Sequence, residues 1–264
     1  MKIPAPVLAA ALLACGPAAL AAEESGMPSE LAAKVAALGR VIDPPKTAVL
    51  YAPLQEKEPY KGVIVVRDVP YGPDGGNLLD VFSPQAAGAP RPVLIYVHGG
   101  GFVGGSKHMP GSPFYDNIHL WAVRHGMVGV NMTYRLAPAA KWPAGAQDVG
   151  RALQWVRANI ASHGGDPQRI YVMGNSAGAI LLSGVYDLTT FDAGGLKVYF
   201  GDNVEAYVER SPIHGLLMSR VPLIVSQTEL DPSRSSARRR SCATRCARAR
   251  AAASASWCSP GTTT

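Results

Sequence analysis

Between residues 170 and 178 an apolar run, Ile170-Tyr171-Val172-Met173, passes without a linker into Gly174-Asn175-Ser176-Ala177-Gly178. A short apolar run bounded by glycine reads as a buried strand. A G-x-S-x-G sequence directly after a strand makes the chain turn sharply and leaves the serine hydroxyl exposed on a strained elbow. A Cβ at Gly174 or Gly178 would crowd the neighbouring strand and helix, so both glycines have a steric task there. A glycine-rich surface turn can be spelled the same way, so the motif gains weight only from a second signal elsewhere.

That signal is the run 93–97, which leads into His98-Gly99-Gly100-Gly101-Phe102. A histidine and three glycines after a strand form a loop whose backbone N–H groups can receive the oxyanion of an acyl-transfer intermediate. Ala177, following the candidate nucleophile, supplies a further N–H. His98 sits at the strand end, where it serves as an organiser of the loop backbone rather than a proton carrier. The glycines do not read as a phosphate cradle, because no Lys-Ser or Lys-Thr follows them.

Around these two motifs, strand-like and helix-like segments alternate, the pattern of an α/β fold with a largely parallel sheet. Strands are expected at 62–67, 78–82, 93–97, 127–132, 170–173, 180–185 and 221–225, the first two joined by a hairpin through 71–76. The clearest helix covers 147–161, with Val149, Leu153, Val156 and Ile160 at helical spacing and Pro143 ahead of its first turn. A weaker one covers 29–38, with Ser29 as N-cap and Leu31, Val35 and Leu38 on one face. A chain of 264 residues, 47% hydrophobic and 17% charged, is long enough to bury one large core and too apolar to be disordered.

The net charge of +6 belongs to one end. Residues 233–264 carry seven arginines and no acid, so without them the chain stands at −1. These arginines have no aromatic interleaving for base stacking, which argues against a nucleic-acid partner. The cysteines are Cys15, Cys242, Cys246 and Cys258, so the body has no thiol for a disulfide or a cysteine metal site. Residues 1–21 have the form of a secretory signal: Lys2, an apolar stretch over 7–14, and Ala19-Leu20-Ala21 before Glu23-Glu24. Export to the periplasm or medium is the expectation. Leu12-Leu13-Ala14-Cys15 also resembles a lipobox, which would instead place a lipid anchor on Cys15. No run of about 18 apolar residues exists to span a bilayer. The expected organisation is a signal peptide at 1–21, an N-terminal cap segment at 22–59, the main domain at 60–232 and an Arg/Ala/Ser-rich tail at 233–264.

From about Tyr60 to Pro232 the chain resembles the α/β-hydrolase carboxylesterases of the hormone-sensitive-lipase type. The likeness rests on His98-Gly99-Gly100-Gly101, on Tyr134-Arg135-Leu136-Ala137-Pro138 with Trp142-Pro143-Ala144, on Gly174-Asn175-Ser176-Ala177-Gly178, and on Glu229-Leu230-Asp231-Pro232. By this resemblance Ser176 is the nucleophile and Asp231 the triad acid. Gly100, Gly101 and Ala177 are the oxyanion donors, and Gly99 lets the loop approach. Asp231 could instead cap a helix, and Asp187 is a weaker rival acid. The substrate implied is a small-molecule carboxylic ester, with no metal or organic cofactor.

The resemblance breaks in two places. The family order is Ser, Asp, His, yet all six histidines precede Asp231, and the nearest, His214, lies in a segment that is non-catalytic in relatives. Residues 233–264 explain this if they are out of frame. Read two bases later, the junctions before Cys242, Cys246 and Trp257 must encode Leu, Met or Val, and those before Thr262, Thr263 and Thr264 must encode His, Asn, Asp or Tyr. That restores apolar spacing and permits a Gly-His-Asn-His. Secondly, Ala179 runs straight into the apolar 180–185, leaving no room for the helix that follows the elbow in the family. Either 180–185 turns helical or the elbow helix is missing. A catalytically dead hydrolase-fold protein and an amide or formamide hydrolase are the competing readings.

Overall fold

The computed structural model describes residues 27–39, 43–175, 181–182, 188–190, 196–212, 215, 218 and 225–226, in two compact units, 1–39 and 40–264. The sequence-derived candidates Ser176, Ala177, Asp187, His214 and Asp231, the leader with Cys15 and the tail 233–264 lie outside the described residues.

The first unit contains α1 (Ser29–Leu38), over the expected residues but with a different cap. Ser29 is not the N-cap. Pro28 takes that position with extended backbone, and its carbonyl accepts the first helical bond, from Ala32 N at 2.9 Å.

The second unit begins with α2 (Pro44–Tyr51), capped by Asp43, whose carboxylate accepts from Lys46 N at 3.1 Å. It continues through β1 (Val63–Pro70), β2 (Leu78–Pro84), β3 (Arg91–Val97), α3 (Asp116–Arg124), β4 (Val128–Met132), α4 (Ala144–Asn159) and β5 (Gly165–Asn175). The short elements β6 (Leu181–Leu182), α5 (Lys197–Phe200), α6 (Tyr207–Arg210) and β7 (Val225–Ser226) follow. Among the described residues the strands form one sheet in the order β1-β2-β4-β3-β5-β6-β7. β1–β2 and β2–β4 are antiparallel and all other pairs are parallel. The expected hairpin joins β1 to β2, and the strands expected at 62–67, 78–82, 93–97, 127–132 and 170–173 have counterparts in this sheet, while of those expected at 180–185 and 221–225 all but 181–182 and 225 lie outside the described residues.

The differences have local causes. The strand expected at 170–173 starts at Gly165, because the polar stretch ahead of the apolar run still pairs with β3, Arg91 opposite Gly165. The expected helix at 147–161 begins three residues earlier, right after Pro143, and ends in a 3-10 turn over Ile160–His163. Where a strand was expected at 180–185, Leu181 and Leu182 are extended and pair with Gly174 and Asn175. At those two residues the helical alternative is therefore not adopted.

Strand periodicity divides the sheet into two unlike faces. Leu79, Val81, Val93, Ile95, Val97, Val128, Val130 and Met132 form one buried apolar cluster with Ala152, Val156 and Ile160 of α4 and its 3-10 turn. On the opposite face Phe82 packs with Tyr60 and with Leu120 and Val123 of α3. That face also carries polar groups, Asp80 and Asn131, both fully buried. α3 comes so close to β4 that a Cβ at Gly129 would lie 2.7 Å from His119 Nδ1.

Topology fixes where a site can form. The chain leaves β3 through α3 to β4 on one side, then returns through α4 to β5 on the other. The loops after β3 and β4 thus lead to helices on opposite faces, which makes the carboxyl ends of the central strands the place where a crevice can form. Among the described residues no helix is long and apolar enough to cross a membrane.

Candidate active site at the carboxyl ends of the central strands

Val97 and Gly174 are register partners in the β3–β5 ladder, the last such pair before both strands end. One residue beyond Val97 the glycine loop starts, and one residue beyond Gly174 is Asn175, the covalent neighbour of Ser176. Of the sequence-derived site residues, the structure places Gly99, Gly100 and Gly101 at this edge.

The loop has a conformation that its residue types explain. Gly100 has φ 125° and Gly101 φ 61°, backbone settings that disfavour L side chains. The Gly100 carbonyl turns inward to accept from Val103 N at 3.2 Å and Gly104 N at 3.1 Å. A Cβ on Gly100 would lie 2.1 Å from Gly104 O, and one on Gly105 would lie 2.4 Å from Gly99 O. Among the described residues nothing accepts from the Gly100 or Gly101 N–H, while Gly100 itself is exposed. A turn that closes on its carbonyls and leaves successive N–H groups open is an anion-receiving arrangement.

His98 is the organiser its position implies. It is fully buried, its Nδ1 lies 2.7 Å from Gly99 O, and its ring stacks on Tyr134 with centroids 4.4 Å apart. Burial pushes the imidazole below its ordinary pKa, with the Gly99 carbonyl pulling the other way, so the ring is held neutral with its proton on Nδ1. Phe102 (φ 64°) stacks on Tyr199 at 4.4 Å and meets Phe200 edge-on at 5.3 Å. Its carbonyl accepts from Ala137 N at 2.9 Å, which joins the loop to the Tyr134–Pro138 motif.

That motif is fixed from below. Asp148 of α4, fully buried, accepts from Arg135 N at 2.9 Å and from Arg135 Nε and Nη2, and also from Arg151 at 2.6 Å. Burial works against the carboxylate charge, but the Arg135 hydrogen bonds outweigh it and hold the group below the ordinary range. Beside the loop lies a cleft of about 480 Å³, lined by Gly76, His98, Gly105, Tyr134, Leu136 and Ala140 among others, a size suited to a small organic ligand.

The described histidines hold other posts. His108 lies 3.3 Å from Asp116, His119 is on the buried face of α3, and His125 stacks on Trp121. His163 precedes β5 at the end opposite Asn175. Among the described residues no group of His, Cys, Asp or Glu is arranged to hold a metal ion.

Sequence reasoning missed the polar cluster under α3, formed by Arg67, Asp80, Lys107 and Asp116. Its one legible trace was Asp80, a lone carboxylate inside the apolar Leu78-Leu79-Asp80-Val81-Phe82. Asp148 was missed because α4 reads as an ordinary amphipathic helix whose acid could face water.

Comparison with known proteins agrees with this geometry. The BD-FAE family profile matches residues 79–232. Esterase LipQ of Mycobacterium tuberculosis is 43% identical over 117 residues, covering 43% of this chain and 27% of the relative. Esterase LipC of the same organism is 36% identical over 166 residues, covering 60% of this chain and 40% of the relative. The chain therefore spans about a quarter to two-fifths of the length of these curated relatives. Esterase B from Lactobacillus rhamnosis superposes with a TM-score of 0.54 at 18% identity, covering 76% of this chain and 75% of that one. At that identity the likeness establishes the fold, an α/β hydrolase. With the family profile covering more than half of its residues, the chain belongs to the BD-FAE family.

Proposed function

We propose that this protein is a serine hydrolase of small carboxylic esters. The observation that carries the reading is the pair of N–H groups at Gly100 and Gly101, from which no described residue accepts, set beside the strand end that leads into Ser176. In this mechanism Ser176 Oγ attacks the ester carbonyl carbon and the π electrons pass to the carbonyl oxygen. Gly100, Gly101 and Ala177 N–H groups receive that oxyanion, with Gly99 giving the loop its close approach. A histidine takes the serine proton and returns it to the leaving alkoxide, and Asp231 orients that histidine. Water then attacks the acyl-serine by the same route, releasing the carboxylic acid and restoring Ser176.

The reading also places the base in the alternative frame after Pro232, where a Gly-His-Asn-His is permitted, and treats residues 233–264 as out of frame. A specific observation favours a second reading for the literal sequence, a non-catalytic hydrolase-fold protein: no histidine follows Asp231. The deciding experiment is to sequence the gene from Leu230 onward and express both frames. Each is then assayed on a short-chain p-nitrophenyl ester beside its Ser176→Ala variant. Ser176-dependent turnover confined to the alternative frame supports the proposal. Ser176-independent turnover in both versions overturns it.

A further inference from the structure

The oxyanion loop is held at its start by His98, and the polar cluster under α3 holds its far end. Lys107 is buried, and its Nζ lies 2.5 Å from Asp80 Oδ1 and 2.7 Å from Asp68 Oδ1. Its carbonyl accepts a hydrogen bond from Asn131 Nδ2 of β4. Asp80 is fully buried and accepts as well from Asp68 N at 2.9 Å and Arg67 Nη1 at 2.9 Å. Arg67 extends the chain to Asp116, the first residue of α3, at 2.6 Å, and Tyr60 OH donates to the same carboxylate at 2.8 Å.

Asp68 reaches Lys107 because β1 bulges. The β1–β2 register shifts between Val66 and Val69, and Asp68 between them has φ 57°. A bulge re-aims a side chain, and this one points both the N–H and the carboxylate of Asp68 at the Lys107–Asp80 pair. The other non-glycine residues with positive φ among those described are Phe102, inside the loop, and Tyr115, whose ring lies 6.4 Å from that of His98. Left-handed backbone at three non-glycine positions around one loop is strain that the surroundings must hold in place, and such strain gathers at functional sites.

We infer that Lys107 is a positioning residue: through the buried Asp80 and the bulged Asp68 it locks the far end of the loop, so that the Gly100 and Gly101 N–H groups face outward as one rigid donor pair. The inference rests on the ester-hydrolase reading for its catalytic consequence and on the loop alone for its structural one. Lys107 touches no substrate and acts through the backbone of the loop.

The test takes the frame-restored protein as parent, with its Lys107→Met and Lys107→Arg variants and two readouts. The first is amide hydrogen exchange of peptides covering 98–107, with α4 as the internal reference. Lys107→Met should speed exchange in the loop at least about tenfold and leave α4 unchanged, whereas Lys107→Arg, which keeps the charge, should restore most of the protection. The second is short-chain ester hydrolysis, where Lys107→Met should lower kcat at least about tenfold with KM within about twofold, and Lys107→Arg should recover part of it. Unchanged loop exchange in Lys107→Met overturns the lock whatever the turnover. Loosened exchange with unchanged kcat overturns the positioning role. Absence of Ser176-dependent turnover in the parent counts against the ester-hydrolase reading, and exchange then decides the lock by itself.

Discussion

The Tyr134 hydroxyl donates to the His98 carbonyl at 3.0 Å while the two rings stack, so one residue of the Tyr-Arg-Leu-Ala-Pro segment grips the glycine loop by backbone and by side chain. Motifs that are far apart in sequence become a single unit through that contact. Tyr134→Phe keeps the stack and removes the donor to a buried carbonyl. It should cost about 1–2 kcal/mol of stability, read as a lower urea midpoint at unchanged slope. An unaltered midpoint would show the hydroxyl to be dispensable.

Gly100→Ala tests the loop directly. The added methyl meets Gly104 O at 2.1 Å in a residue with φ 125°, so the turn cannot close as it stands. Because the clash is confined to an exposed loop, the far-ultraviolet circular dichroism spectrum should keep its native form. Ester turnover by the frame-restored protein should fall by about 10²-fold or more, the scale of losing an oxyanion donor.

His119 makes stability depend on pH. It is fully buried and stacks on Phe82 at 5.0 Å. Burial pushes its pKa down to about 4 from an ordinary 6.5, outweighing the nearby Asp116 charge. Between those values the unfolded chain binds the proton and the folded one does not, so folding is favoured above pH 6.5 and loses stability as pH falls towards 4. Over that window the loss should amount to about 3 kcal/mol. His119→Phe, which retains the stack on Phe82, should flatten that part of the stability–pH curve. An identical slope in the variant would assign the effect to other groups.

Export is tested at the N-terminus. Reading residues 1–21 as a secretory signal predicts mature protein starting near Ala22 outside the cytoplasm, and N-terminal sequencing of secreted material reads this out. Intact Met1 recovered solely from cytosol would contradict it.

Legibility in the sequence followed chemistry. β3 and β4 were readable because each is a short apolar run between turn residues, buried on both faces, and the apolar part of β5 was readable as the same kind of run although Tyr171 on it is exposed. The glycine loop was readable because its positive-φ positions tolerate few other residues. α3 was not: its inward residues include Asp116 and His119, so no apolar stripe marks it. The cap of α1 was misassigned to Ser29 because Pro28, lacking a capping side chain, takes that position and accepts the first helical bond through its carbonyl. The Lys107 lock was hidden for another reason. It joins residues from β1, β2 and the loop that only the folded sheet brings together, and it depends on a bulge at Asp68 that has no distinctive sequence mark.

The central claim is that Ser176, beside the Gly100–Gly101 donors, is the nucleophile. The most direct measurement is mass-spectrometric mapping of a fluorophosphonate adduct on the frame-restored protein, alongside its Ser176→Ala variant. The account predicts a single adduct on Ser176 that is absent from Ser176→Ala. An adduct elsewhere, or labelling that persists in Ser176→Ala, would contradict it.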